Sequence, residues 1–262
     1  MSLPYAMNRL LITLPMLVTL AACGLLLEYG PIKQLPHYNE FADQSSFLGL
    51  PHARDVLSNI GFAVVAIWGW LRLRPLADHP AISTGWYGYR LFLVGLLLTA
   101  IGSAFYHLAP DNARLVWDRL PIALACAGLL AAVRAETGRN IDVKSNTAWL
   151  SLFAVASVAW WYATDRMGQG DLRPYLLLQG LPLVLIPLWQ AIYPFSRSDR
   201  LAFGIALLLY VAAKAAELHD HQLLAALGWI SGHTLKHLLA TAAAAVLVGR
   251  LVSRTRRFAH TN

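Results

Sequence analysis

Two histidines four residues apart, His233 and His237, open a stretch that is otherwise apolar, SGHTLKHLLATAAAAVLVG (231 to 249). Positions i and i+4 lie about 40° apart around a helix, so both rings leave one face and can share one ion. In GSAFYH (102 to 107) the same spacing relates Ser103 to His107, and WDRLP (117 to 121) supplies Asp118 shortly after. Three imidazoles with one position left open make a catalytic zinc site, where the metal brings the pKa of a water to about 7. Asp118 would then orient that water or take its proton, and Ser103 would hydrogen-bond the water or the developing oxyanion. A single membrane histidine is more often a partner in helix-to-helix hydrogen bonding, and a lone serine a small packing residue. The i, i+4 pair with a third histidine at matching depth favours the metal.

These residues need helices in lipid to hold them. Of 262 residues 57% are hydrophobic and 13% charged, and the mean hydropathy is +0.51, outside the range of a soluble domain. The chain reads as an all-α integral membrane protein: a crossing takes about 20 apolar residues, because each backbone amide must be satisfied inside the segment. Eight segments qualify, near 9–27, 56–74, 90–108, 116–135, 147–163, 174–193, 199–218 and 231–252. They define a seven-helix core bundle plus one extra N-terminal hydrophobic helix. The expected organisation is an N-terminal transmembrane or signal-like segment (1–30), an external loop (31–54), the core (55–252) and a basic cytoplasmic tail (253–262). No repeat, low-complexity linker or soluble domain is evident.

Pro110, Asp111 and Asn112 make a short turn after His107, so 90–108 and 116–135 form an antiparallel hairpin that sets His107 and Asp118 at similar depth. The net charge of +7 comes from basic residues scattered between the segments, not from a patch for nucleic acid. Apart from Lys214 and Lys236 inside helices, thirteen lysines and arginines fall on one side and six on the other. Positive residues stay inside, so the C-terminus is expected in the cytoplasm and His107, Asp118, His233 and His237 gather toward the outer face.

Among the other polar residues, Lys214 and Glu217 read as an i, i+3 ion pair that could also line the site. His219, Asp220 and His221 read as a solvated loop, Lys236 as facing away from the two histidines beside it, and His79 and His260 as loop and tail. The tryptophans, Trp160, Trp161 and Trp189 among them, read as an interfacial belt. Pro174, Pro182 and Pro187 should bend the sixth segment. Cys23 closes a Leu-Ala-Ala-Cys stretch like a lipoprotein cleavage box, but apolar character runs on through Leu27, so Cys23 and Cys126 read as packing residues with no disulfide framework.

Taken together, PHARDVLSNIGF (51 to 62), GSAFYH, WDRLP and SGHTLKH (231 to 237) resemble the alkaline ceramidase family, part of a superfamily of seven-helix hydrolases that includes the adiponectin receptors. The resemblance runs from about Tyr38 to Val252. It implies zinc on His107, His233 and His237, completion of the site by Asp118 and Ser103, a first-helix signature in Asp55, Ser58 and Asn59, and hydrolysis of the ceramide amide to fatty acid and sphingoid base. The partner is then a membrane lipid, ceramide or another N-acyl lipid. The acidic calcium cluster of eukaryotic members has no ungapped match among Glu40, Asp43 and Asp55, so calcium is not carried over. Short loops and the lack of an ER retention signal lean toward a bacterial inner membrane. A lipid receptor or sensor with a residual metal site is the alternative. Haem is a weaker one, because paired histidines on one helix face suit a small ion better.

Overall fold

A computed structural model describes residues 5–138 and 141–258, with side chains described from residue 11 to 256; Arg139 and His260 lie outside the described residues. The elements run α1 (Tyr5–Tyr29), a two-stranded hairpin β1 (Ser46–Phe47) and β2 (Leu50–Pro51), then α2 (Ala53–Ser58), α3 (Ile60–Leu73), α4 (Trp86–Leu108), α5 (Asn112–Ala135), α6 (Val143–Arg166), α7 (Arg173–Ile192), α8 (Arg197–Leu218), α9 (Asp220–Leu227) and α10 (Gly232–Phe258). The hairpin pairs Ser46 with Pro51 and Phe47 with Leu50. Its two-residue turn holds Leu48 and Gly49, both at positive φ, as the twist of a tight hairpin requires.

Helical rods occupy all eight expected positions. Seven are long and apolar enough to cross a membrane: Leu11–Tyr29, Ala53–Leu76, Ser83–Leu108, Asn112–Ala135, Arg173–Ile192, Arg197–Leu218 and Gly232–Arg256. The eighth, α6, spans 24 residues but falls short in apolar character, since Lys144, Ser145, Asn146 and Thr147 fill its first turns and Thr164, Asp165 and Arg166 its last. The all-α membrane fold therefore stands, with seven apolar crossings by composition where eight were expected. The proline-bearing α7 runs as one helix through Pro182 and Pro187.

Side-chain oxygens start several helices by accepting orphan amides: Asp111 takes Arg114 N–H at 2.7 Å, Asp142 takes Lys144 N–H at 3.0 Å and Ser196 takes Asp199 N–H at 3.1 Å. The pairing of α4 with α5 is set by three glycines seven residues apart. A Cβ on Gly88 would meet Ala132 N at 2.4 Å, one on Gly95 would meet Ala125 N at 2.7 Å, and one on Gly102 would meet the Trp117 carbonyl oxygen at 1.9 Å. The two backbones thus touch along their length, as small residues allow in membrane bundles. Gly102 brings Ser103 directly beside the turn that carries Asp118.

Around this pair lie three apolar clusters. Phe62, Leu93 and Val248 join α3, α4 and α10; Leu115, Val158 and Leu178 join α5, α6 and α7; Leu130, Ile186 and Phe203 join α5, α7 and α8. The segment before the hairpin crosses one end of the bundle, tied by Leu172 N–H to Ile32 O at 2.8 Å and by Ile32 N–H to Asp171 at 3.3 Å.

Candidate metal centre and its cavity

Histidines from α4 and α10 meet at that end of the bundle. His107, His233 and His237 are each buried, and one ligand nitrogen from each lies within 4.8 Å of the other two. The ring centroids are 4.7 to 5.1 Å apart. His107 Nε2 and His233 Nε2 stand 3.2 Å apart. Two nitrogens bound to one zinc at 2.0–2.1 Å in tetrahedral geometry would sit about 3.3 Å apart, so this pair has the separation that a shared ion demands. A buried group of three imidazoles, with no carboxylate or thiolate among them, can hold a metal ion.

The N-terminus of α10 is built to fix these rings. Ser231 accepts from Thr234 N–H at 3.0 Å, and the Asp220 carboxylate accepts from His233 N–H at 2.7 Å, an anion at the positive end of a helix. The other Asp220 oxygen takes Ala42 N–H at 2.8 Å, which draws the preceding segment over the site. Phe41 then lies against His107 and His233 with ring centroids 4.6 and 4.3 Å away. A Cβ on Gly232 would meet the Ala216 carbonyl oxygen at 2.1 Å, so only glycine lets α10 begin this close to α8.

His237 is oriented by α2. Its Nδ1 lies 2.8 Å from Ser58 Oγ, which itself donates to the Asp55 carbonyl at 2.9 Å. The Asp55 carboxylate accepts from Ser231 and Thr234, joining α2 to α10. Asp43 starts α2 from a distance, accepting Arg54 N–H at 3.0 Å and Asp55 N–H at 3.1 Å. Burial would raise the Asp43 pKa, but the Ser45 side chain and these amides outweigh it and hold the carboxyl below its usual value. Asp43 thus acts as a structural cap for α2.

Ser103, Asp118 and His237 line one cavity of about 420 Å³. Its remaining wall is largely apolar, with Phe92, Leu96, Leu183, Phe203 and Leu207 from α4, α7 and α8. The three histidines thus form one group, and Ser103 and Asp118 share a cavity with one of them, His237.

Other expectations change. Asp220 is no solvated loop residue: it opens α9, is buried, and holds both α10 and the segment above, while its neighbours His219 and His221 are exposed. Lys236 does not face away from the site, since it lines the same cavity as His237 and bonds Glu217 at 2.9 Å. Glu217 also pairs with Lys214, and both line the cavity. Trp161 is fully buried and no part of an interfacial belt, whereas Trp149, Trp160 and Trp229 are exposed. Gln34, Tyr38 and Arg119 line the cavity too, and spacing gave no sign of it. A scan against protein-family models finds no match, and neither does a search of the curated proteins.

Proposed function

We propose that this protein is a zinc-dependent intramembrane amidohydrolase that cleaves the amide bond of ceramide or a related N-acyl lipid, releasing a fatty acid and a sphingoid base or other amine. The observation that carries the reading is a buried group of three histidines, one of which, His237, lines a largely apolar cavity together with Ser103 and Asp118 in a membrane-type bundle. The likeness of GSAFYH, WDRLP and SGHTLKH to the alkaline ceramidase family supports it.

His107, His233 and His237 would hold the zinc, which supplies Lewis-acid polarisation and a water activated at neutral pH. Asp118 takes the proton of the attacking water and delivers it to the leaving nitrogen as the carbon–oxygen bond forms and the carbon–nitrogen bond breaks. Ser103 donates to the carbonyl oxygen where negative charge gathers. The apolar wall takes the acyl chain and keeps bulk water from the amide. With positive residues inside, the site faces the outer side of a bacterial inner membrane.

Elemental analysis of the detergent-purified protein tests this, together with fatty-acid release from a long-chain ceramide on the same sample. We expect about one zinc per chain, lost with activity in His237→Ala. Asp118→Asn should keep the metal and lose turnover by on the order of 100-fold or more. Absence of zinc would refute the reading, and near wild-type hydrolysis by Asp118→Asn would refute the proton-transfer role. A protein that binds these lipids tightly, holds zinc and turns none over would be a receptor.

A further inference from the structure

The cavity has a second polar wall that the hydrolytic scheme leaves unused. Arg119 follows Asp118 on α5 and is only 3% exposed. Its Nη2 donates to the Gln34 amide oxygen at 2.8 Å. Its Cζ stands 3.9 Å from the centre of the Trp161 ring, with Tyr38 and Tyr175 at 5.2 and 5.5 Å. Among the described residues no carboxylate forms an ion pair with it, and Nη1 is buried without a hydrogen-bond partner.

A guanidinium stays charged in a protein, and burying it unpaired is costly. The aromatic rings satisfy its faces. They do not satisfy the in-plane N–H groups of Nη1. Gln34 cannot swing to do so either, because its own nitrogen is committed to Asn112 at 3.1 Å, and Asn112 in turn to Asp165 at 3.0 and 3.1 Å. The charge around the cavity points the same way: Lys33, Arg119, Lys214 and Lys236 stand against Asp118 and Glu217, and Glu217 is already held by two of the lysines.

We propose that Arg119 is a head-group subsite and that the preferred substrate is an N-acyl lipid with an anionic group, carboxylate or phosphate, a few bonds from its amide nitrogen. The inference rests on reading the cavity as the substrate site. Asp118 and Arg119 line the same cavity, so a lipid whose amide lies at Asp118 can present an anionic head group to the Nη1 donors of Arg119. A neutral head group leaves those donors unpaired.

The test uses the full chain in non-ionic detergent with metal removed by chelation, so that binding is read without turnover. The probes are N-dodecanoylglycine, N-dodecanoylethanolamine and the O-phosphate of the latter, which share one acyl chain. At least one anion should bind about tenfold or more tighter than the neutral amide, and the better of the two identifies carboxylate or phosphate as the group read. That preference should vanish in Arg119→Gln and persist, reduced severalfold, in Arg119→Lys, which keeps the charge and serves if the glutamine variant does not fold. Equal affinities for all three in the wild type, or a preference unchanged in either variant, overturns the proposal. Hydrolysis after zinc is restored separates the two readings. An Arg119-dependent preference without release from any lipid keeps the subsite and sinks the hydrolase. Equal kcat/KM on charged and neutral lipids, indifferent to Arg119, does the reverse.

Discussion

Replacing Ser58 with alanine tests whether the histidine cluster is a prepared metal centre or a packing contact. Because Ser58 Oγ spends its proton on the Asp55 carbonyl, it can only accept from His237 Nδ1–H, and that leaves Nε2 bare and facing the other two imidazoles. Loss of an outer partner of this kind costs roughly 10–100-fold in metal affinity. The loss for Ser58→Ala should therefore be at least about tenfold, or ~1.4 kcal/mol. Alanine is a good helix former at the end of α2, but the buried Nδ1–H of His237 loses its acceptor, so metal-free stability should fall by about 1–3 kcal/mol. The assay is zinc competition against a chromophoric chelator at fixed pH, with thermal unfolding of the metal-free protein beside it. Ser58→Thr, which keeps the hydroxyl, should bind zinc within about threefold of wild type, well short of the full outer-partner penalty. A zinc Kd for Ser58→Ala equal to wild type would refute the reasoning and make the contact incidental.

Gly102→Ala places a methyl group where the Trp117 carbonyl oxygen stands; we expect a loss of about 3 kcal/mol or more and of bound metal, since His107 lies just over a turn away. Thermal unfolding with metal content checks it, and an unaffected variant would mean that α4 and α5 are not in backbone contact there. Asp171 lies outside the apolar crossings, and although burial raises its pKa, bonds from the Arg173 and Trp160 side chains and the Arg173 and Ile32 amides bring it down to about 2. A depressed carboxylate stabilises above its unfolded value of about 3.9 and loses that contribution as pH falls toward 2. Asp171→Asn should therefore cost on the order of 2 kcal/mol at neutral pH and flatten the acid limb of stability between pH 4 and 2. An acid limb identical to wild type would refute the assignment.

The histidine cluster was legible in the sequence because it needed only helix periodicity, one short turn and the charge of the loops. The i, i+4 rule fixed His233 with His237, a short turn fixed Asp118 beside His107, and the alternation of charged loops brought α10 to the same end. What escaped depends on which helices touch. Nothing local shows that Glu217 on α8 meets Lys236 on α10, or that the cavity wraps far enough around α10 for Lys236 and His237 both to line it. Asp220 looked solvated because polar residues between apolar segments usually are, yet the close start of α10 at Gly232 turns that stretch into a buried helix end. Arg119 is a functional candidate from the sequence, as an ionisable group inside a membrane helix, but its setting is not legible there: Trp161 alone reads as an interfacial ring, and only their stacking shows that both are out of water.

The seven-residue glycine spacing along α4 also divides the molecule mechanically. With backbone pressed on backbone from Gly88 to Gly102, α4 and α5 behave as a single stiff beam, and Ser103, His107 and Asp118 are all mounted on it. The cavity's other wall is built differently: α7 carries two internal prolines and α8 presents side chains such as Leu208 and Val211 outward. On the proposed reading, a lipid that enters by flexing that wall leaves Ser103, His107 and Asp118 in fixed spacing, whereas His233 and His237 ride on α10, which starts against α8, so chain entry and the closing of the metal site are mechanically linked.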